Sequence, residues 1–129
     1  MTIRRLALTA VTVAALAALV AGLAPLGAAA APFRIKVGDG GFVYDPKTAH
    51  VPKGKTVEWE NVASVSHTVT FYKKPQGASI KSFTLSPGDS KRRTVRKAGR
   101  YKYRCVVTGH SSLSDGQCTG MCGVVRAHS

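Results

Sequence analysis

Acidic residues are scarce in this chain. Six Asp and Glu stand against 19 Lys and Arg in 129 residues, a formal charge of +13. Such a balance favours acidic partners: an acidic protein, an anionic surface or nucleic acid. Amphipathic helical spacing is missing, so an all-β fold is expected, and no internal repeat occurs. After the N-terminal stretch there is no second long apolar run, so no further membrane segment is expected. Cysteine is sparse as well, with three in all.

The apolar residues that open the chain read as a leader. Thr2-Ile-Arg-Arg5 is a short basic start, and Leu6 to Ala31 is almost wholly Ala, Leu and Val, closing on Ala28-Ala-Ala-Ala31. A charged start, an apolar centre and a small-residue A-x-A site make a secretory signal peptide. Pro32 disfavours a cut just before it, so residues 1–30 are assigned to the leader and 31–129 to the mature domain. The competing reading is a retained membrane anchor, against which Pro25 and the Ala-rich end argue. Arg4-Arg5 is a weak twin-arginine signal, and no Cys near the cut offers a lipid attachment point. Loss of Arg4 and Arg5 leaves 17 Lys and Arg against 6 Asp and Glu, near +11. Export makes nucleic acid an unexpected partner. The bland alternative is that the charge serves solubility alone.

The remaining residues, about 99 by that assignment, suffice for one small domain with a single core. They carry strand patterns throughout. Phe33-Arg-Ile-Lys-Val37 alternates apolar and basic residues, and Thr56-Val-Glu-Trp-Glu60 places Val57 and Trp59 on one face. Phe42–Tyr44, Ala49–Val51, His67–Tyr72, Ile80–Leu85, Ser90–Val95, Arg100–Val107 and Gly123–Ala127 read likewise, with Gly- and Pro-containing turns between. About eight short strands of this kind predict a two-sheet sandwich. The positive run from Lys91-Arg-Arg93 to Arg104 reads as a solvated sheet face.

The chemistry concentrates late in the chain. Cys105 lies at a predicted strand end, with His110 five residues on and Thr108-Gly109 able to turn the chain between them. Met121 precedes the final strand, and His67 opens a different strand that reaches the same end of the sandwich. Two imidazoles, one thiolate and one thioether are the ligand set of a blue-copper centre, in which two His and a Cys lie in a plane with a weak axial Met. Any one of these residues alone would be read as core or surface; the four together, in this order and these strand contexts, point to copper, one ion per chain. His50 and His128 fall outside the pattern and are read as non-ligands, His128 in a frayed tail.

These features resemble the cupredoxins, the plastocyanin/azurin family. Asp45-Pro-Lys-Thr-Ala-His-Val-Pro-Lys-Gly-Lys-Thr-Val-Glu-Trp-Glu-Asn61 is similar to that family's strand, Gly turn and strand ending in Trp and Asn ahead of the first His, and the likeness spans roughly residues 42–127. The resemblance implies a Greek-key β-sandwich with copper held by His67, Cys105, His110 and Met121. It also implies a one-electron carrier, with His110 as the electron port and Ser111 to Leu113 plus Gly40-Gly41 as the docking patch. The Cys-x4-His spacing resembles azurin more than plastocyanin. One departure stands out: Ser114 sits where azurin carries its axial Met, so Ser114-Asp-Gly-Gln-Cys-Thr-Gly120 reads as an insertion before Met121. The Ser66 carbonyl is a candidate extra axial contact.

Three Cys in an exported protein leave one unpaired. If Cys105 holds copper, Cys118 and Cys122 remain for a disulfide, four residues apart across a Gly-containing turn. Two rivals stay open: Cys105 bridged to Cys118 or Cys122, or zinc held by Cys105, His110, Cys118 and Cys122. In function, the rivals are a copper delivery or sequestration protein without redox turnover, and a metal-free, disulfide-stapled binding module. An enzyme is not expected: a full ligand set leaves no open position for substrate, and no Ser/His/Asp or paired-carboxylate arrangement stands beside it. The expected partner is an acidic redox protein, donor or acceptor. A membrane surface is open to it without an anchor, and the chain is expected to be a monomer in the periplasm, at the cell wall or outside the cell.

Overall fold

A computed structural model describes residues 30–129. The leader assigned to residues 1–30 therefore lies, but for its last residue, outside the described residues. Residues 31–129 form one compact unit. Its strands are β1 (Phe33–Val37), β2 (Tyr44–Asp45), β3 (Thr48–Pro52), β4 (Lys55–Asn61), β5 (His67–Lys73), β6 (Phe83–Leu85), β7 (Ser90–Val95), β8 (Gly99–Arg104), β9 (Ser111–Ser114), β10 (Gln117–Gly120) and β11 (Cys122–His128). No described residue is helical, so no described helix is long and apolar enough to cross a membrane.

The expected sandwich is present. One sheet has the order β2-β1-β4-β7 and the other β3-β11-β8-β5-β6, while β9 and β10 make a separate hairpin. β1 runs parallel to β4 and β11 parallel to β3; the other neighbours pair antiparallel. Alternation along the strands builds the core. Ile35 and Val37 of β1, Val57 and Trp59 of β4, and Tyr101 and Tyr103 of β8 turn inward and are buried. Trp59 meets the edges of Phe71, Phe83 and Tyr103 at centroid distances of 6.0, 5.5 and 5.6 Å, so the two sheets close on aromatic edge-to-face contacts.

Several local expectations change. Segment 42–44 contributes only Tyr44 to a strand, and Phe42 and Val43 stand out at the turn, 52% and 44% exposed. The strand expected to reach Val107 ends at Arg104, which puts Cys105 at the start of a loop. The basic face is not wholly solvated. Glu58, 7% exposed, takes Arg34 Nε at 3.3 Å and Arg92 Nε at 2.9 Å, so one buried carboxylate ties β1, β4 and β7. His128 is no frayed end. It pairs opposite Pro52, and its carbonyl accepts from Lys53 N–H at 2.7 Å.

The segment read as an insertion is the β9–β10 hairpin. Asp115 and Gly116 both have positive φ, 52° and 75°. That is the two-residue turn whose twist matches antiparallel strands, and Asp-Gly is its usual sequence. The turn signal is in the chain, but the flanking strands are polar and lack apolar alternation, so the strands themselves carry no pattern.

Candidate metal centre

The site is assembled at one end of the sandwich from four chain segments. His67 opens β5 and is fully buried. Its approach loop is set by Asn61, 1% exposed, whose Nδ2 donates to the carbonyls of Val65 and Leu85, both at 2.9 Å, and whose Oδ1 accepts from Ala63 N–H at 2.9 Å. The other side of His67 is closed by Gly38. A Cβ there would lie 2.8 Å from His67 Nε2, and Gly38 has φ 79°, so only glycine suits the position.

Cys105 follows β8, is fully buried and is the one free thiol among the described residues. Its Sγ lies 3.7 Å from His67 Nδ1 and 3.3 Å from His110 Nδ1. It also accepts from Thr68 N–H at 3.3 Å. Thr68 Oγ1 in turn accepts from Val106 N–H at 2.9 Å, which pins the loop after Cys105 to β5. His110 closes that loop, with its N–H donating to the Val107 carbonyl at 2.9 Å. Ser111 Oγ, held by Arg104 at 3.0 Å, donates back to the Cys105 carbonyl.

Met121 is fully buried beside the same loop. Cys105 N–H donates to the Met121 carbonyl at 3.2 Å, and Met121 N–H to the His110 carbonyl at 2.9 Å. This removes the difficulty posed by the extra residues. The β9–β10 hairpin leaves at Ser111 and returns at Gly120, which pair with each other, so its length does not move Met121 away from His110. Gly120 permits the return: a Cβ there would lie 2.6 Å from the His110 carbonyl oxygen. The disulfide joins Cys118 to Cys122 across Cα atoms 6.2 Å apart, tying the hairpin's return strand to β11 around Met121. Neither rival use of Cys105, in a bridge or with Cys118 and Cys122 around zinc, is compatible with that bond.

The donor set fits a metal. The ligand atoms of His67, Cys105 and His110 lie within 4.8 Å of one another. A metal about 2.0 Å from nitrogen and about 2.3 Å from sulfur, at angles of roughly 100–120°, requires S···N spans of about 3.3–3.7 Å. Burial, and then the neighbouring His110, hold the pKa of His67 below its ordinary value. The ring is therefore neutral near pH 7, with a lone pair to give.

Phe42 is the residue that sequence reasoning missed. Its ring lies on the His110 imidazole, with centroids 3.8 Å apart and planes 23° apart. No local pattern announces this, because the contact joins two turns far apart in the chain. Thr68 was legible only as a strand residue.

The family model for copper-binding proteins of the plastocyanin/azurin family matches residues 31–126. This chain belongs to that family. Copper is its cofactor, one ion to each chain. This cupredoxin shares its fold with the structure titled a novel purple cupredoxin from Nitrosopumilus maritimus: TM-score 0.56, 23% identity, covering 74% of this chain and 98% of that one. A reduced single-residue variant of amicyanin gives TM-score 0.60 at 22% identity, covering 79% of this chain and 87% of that one. The Cu(I) form of another amicyanin variant gives 0.60 at 23% identity with the same coverage.

Proposed function

We propose that this cupredoxin is an exported one-electron carrier whose copper ligands are His67, Cys105, His110 and Met121. The observation that carries the reading is the buried Cys105 thiol, 3.3 and 3.7 Å from two imidazole Nδ1 atoms. Copper, when bound, supplies the one-electron couple between Cu(II) and Cu(I). The protein's part is to hold one arrangement of donors through that cycle. Asn61, Thr68 and the paired ends of the hairpin fix all four donors by backbone-anchored hydrogen bonds. The Thr68 N–H withdraws electron density from the Cys105 sulfur and helps to set the potential.

His110 is half-buried, and its ring is the natural port for electrons. Six large apolar side chains are well exposed among the described residues: Phe42, Val43, Val62, Val65, Val106 and Leu113. Five belong to turns and loops that carry or abut the ligands, and Leu113 belongs to β9, which follows His110 directly. They widen the expected patch at Gly40-Gly41 and Ser111 to Leu113 into an apolar ring suited to brief docking. The positive charge elsewhere steers an acidic donor or acceptor and makes transfer rates fall with salt. No enzymatic step is assigned. Residues 1–30 serve as the export leader, and N-terminal sequencing of the exported protein should begin at Ala31.

The deciding test is a Cu(II) titration of the purified protein without reductant, followed in the visible. An intense thiolate-to-copper band saturating at one equivalent is expected, and Cys105→Ser should abolish it while leaving the fold. A blue Cys105→Ser protein would sink the ligand assignment. A band with ready Cu(I) exchange and no fast electron self-exchange would favour delivery or sequestration instead.

A further inference from the structure

A second pair of imidazoles lies outside this centre, on the outer face of the five-stranded sheet. β3 and β11 run parallel, with Arg126 opposite His50 and His128 opposite Pro52. Alternation along both strands sends His50 and His128 to solvent on the same side. His50 Nδ1 lies 3.0 Å from His128 Nε2. The ring planes are 10° apart while the centroids are 5.3 Å apart. Near-parallel rings at that spacing, with nitrogens so close, meet edge to edge and point two nitrogens at one another. One nitrogen already turns its lone pair toward the other, and the donor nitrogen offers its own once its proton moves to the second nitrogen of the same ring.

Two imidazole nitrogens about 2.0–2.1 Å from one metal, at angles between 90° and tetrahedral, lie about 2.8–3.4 Å apart. The observed 3.0 Å falls in that span, so a modest turn of two exposed rings converts the hydrogen bond into a chelate. Among the described residues no carboxylate or thiol joins the pair in a three-membered cluster. The set is therefore two neutral nitrogens with the other positions open to water. Such a set suits borderline divalent ions and takes Cu(II) ahead of Ni(II) and Zn(II). Arg126 and Lys53 flank the pair in sequence and register, and their charge makes it weaker than the buried thiolate centre. β11 separates the two: six residue steps from Cys122 to His128 span about 20 Å.

We propose that His50 and His128 form a second, surface metal site that binds one Cu(II) through imidazole nitrogen. The experiment adds a second equivalent of Cu(II) to protein already carrying one, and reads retained copper by equilibrium dialysis and its coordination by electron paramagnetic resonance. The second copper should be retained, with a tetragonal nitrogen-ligated signal and no gain in the thiolate band. His50→Gln and His128→Gln should each weaken its retention at least tenfold while leaving the first copper and its band unchanged, which also shows that the variants fold. A parent protein that does not retain the second copper, or variants that retain it as well as the parent, would overturn the proposal. Should no thiolate band form at all, the first equivalent itself would be the one lost in His50→Gln, so failure of the blue-centre reading is told apart.

Discussion

Gly38→Ala is the most informative single change at the metal centre, because it presses on His67 without touching a donor atom. The new methyl would sit 2.6 Å from Ala63 Cβ, 2.8 Å from His67 Nε2 and 3.1 Å from His67 Cδ2, on a backbone with φ 79°. Gly40, in the same turn, has φ 83° and nothing within 4 Å of its Cβ direction, so it isolates the backbone cost. An L-residue in the left-handed region costs about 1–2 kcal/mol. Forcing a methyl into packed side chains costs about 1–3 kcal/mol more. Gly40→Ala should therefore lose about 1–2 kcal/mol and Gly38→Ala about 2–5 kcal/mol. In a domain of this size each kcal/mol lowers Tm by about 4–8 °C. His67 cannot swing aside, since it is fully buried and the loop carrying Ala63 is tied down by Asn61. Thermal unfolding of the metal-free proteins, followed by circular dichroism, should place Gly38→Ala below Gly40→Ala by at least about 4–8 °C. Copper affinity should drop in Gly38→Ala alone. Equal Tm values for the two variants would refute the packing of His67 on Gly38.

Three other outcomes are expected. Met121→Leu, close in volume, should cost under about 1.5 kcal/mol, keep the thiolate band and raise the potential; voltammetry and a visible spectrum both identical to the parent would place Met121 away from copper. Asn61→Ala strands two carbonyls and one N–H that its side chain now satisfies. It should cost about 2–4 kcal/mol in denaturant unfolding, and a loss under half a kcal/mol would contradict that bonding. The third concerns pH. Because the pKa of His67 is depressed below 6.5 by burial and by His110, the unfolded chain binds more protons in the window beneath 6.5. The His67 contribution to metal-free stability is thus present above 6.5 and lost as pH falls through that window. Urea midpoints near pH 7.5 and pH 5.5 check the sign, and a midpoint that rises on acidification contradicts it.

Much of the site was legible because its signals are local. Residue chemistry names the metal: thiolate, thioether and two imidazoles do so wherever they meet. Strand alternation around Val57 and Trp59 reported which side faces the core, since that period depends only on the backbone. Asp115-Gly116 is legible as a turn, though not as the tip of a hairpin. It lies between polar strands, where hydrophobic patterning is silent and turn chemistry alone must be trusted. His128 was misjudged for a different reason. Position in the chain says little about a strand whose partner, β3, lies more than 70 residues earlier.

The division follows the range of the forces involved. The order of the residues along the chain settled the kind of donor atoms, the all-β class and the basic charge, because each depends on residue identity and nearest neighbours. Other features required the folded chain. The Cys105 sulfur reaches both Nδ1 atoms only when β5 and β8 pair, across a separation of 38 residues for His67. Met121 returns to His110 because the hairpin ends close on each other. Phe42 covers His110 because two loops share one end of the sandwich, and His50 meets His128 across 78 residues because β3 lies beside β11. Each of these contacts is created by strand pairing between distant segments, which no window of sequence contains.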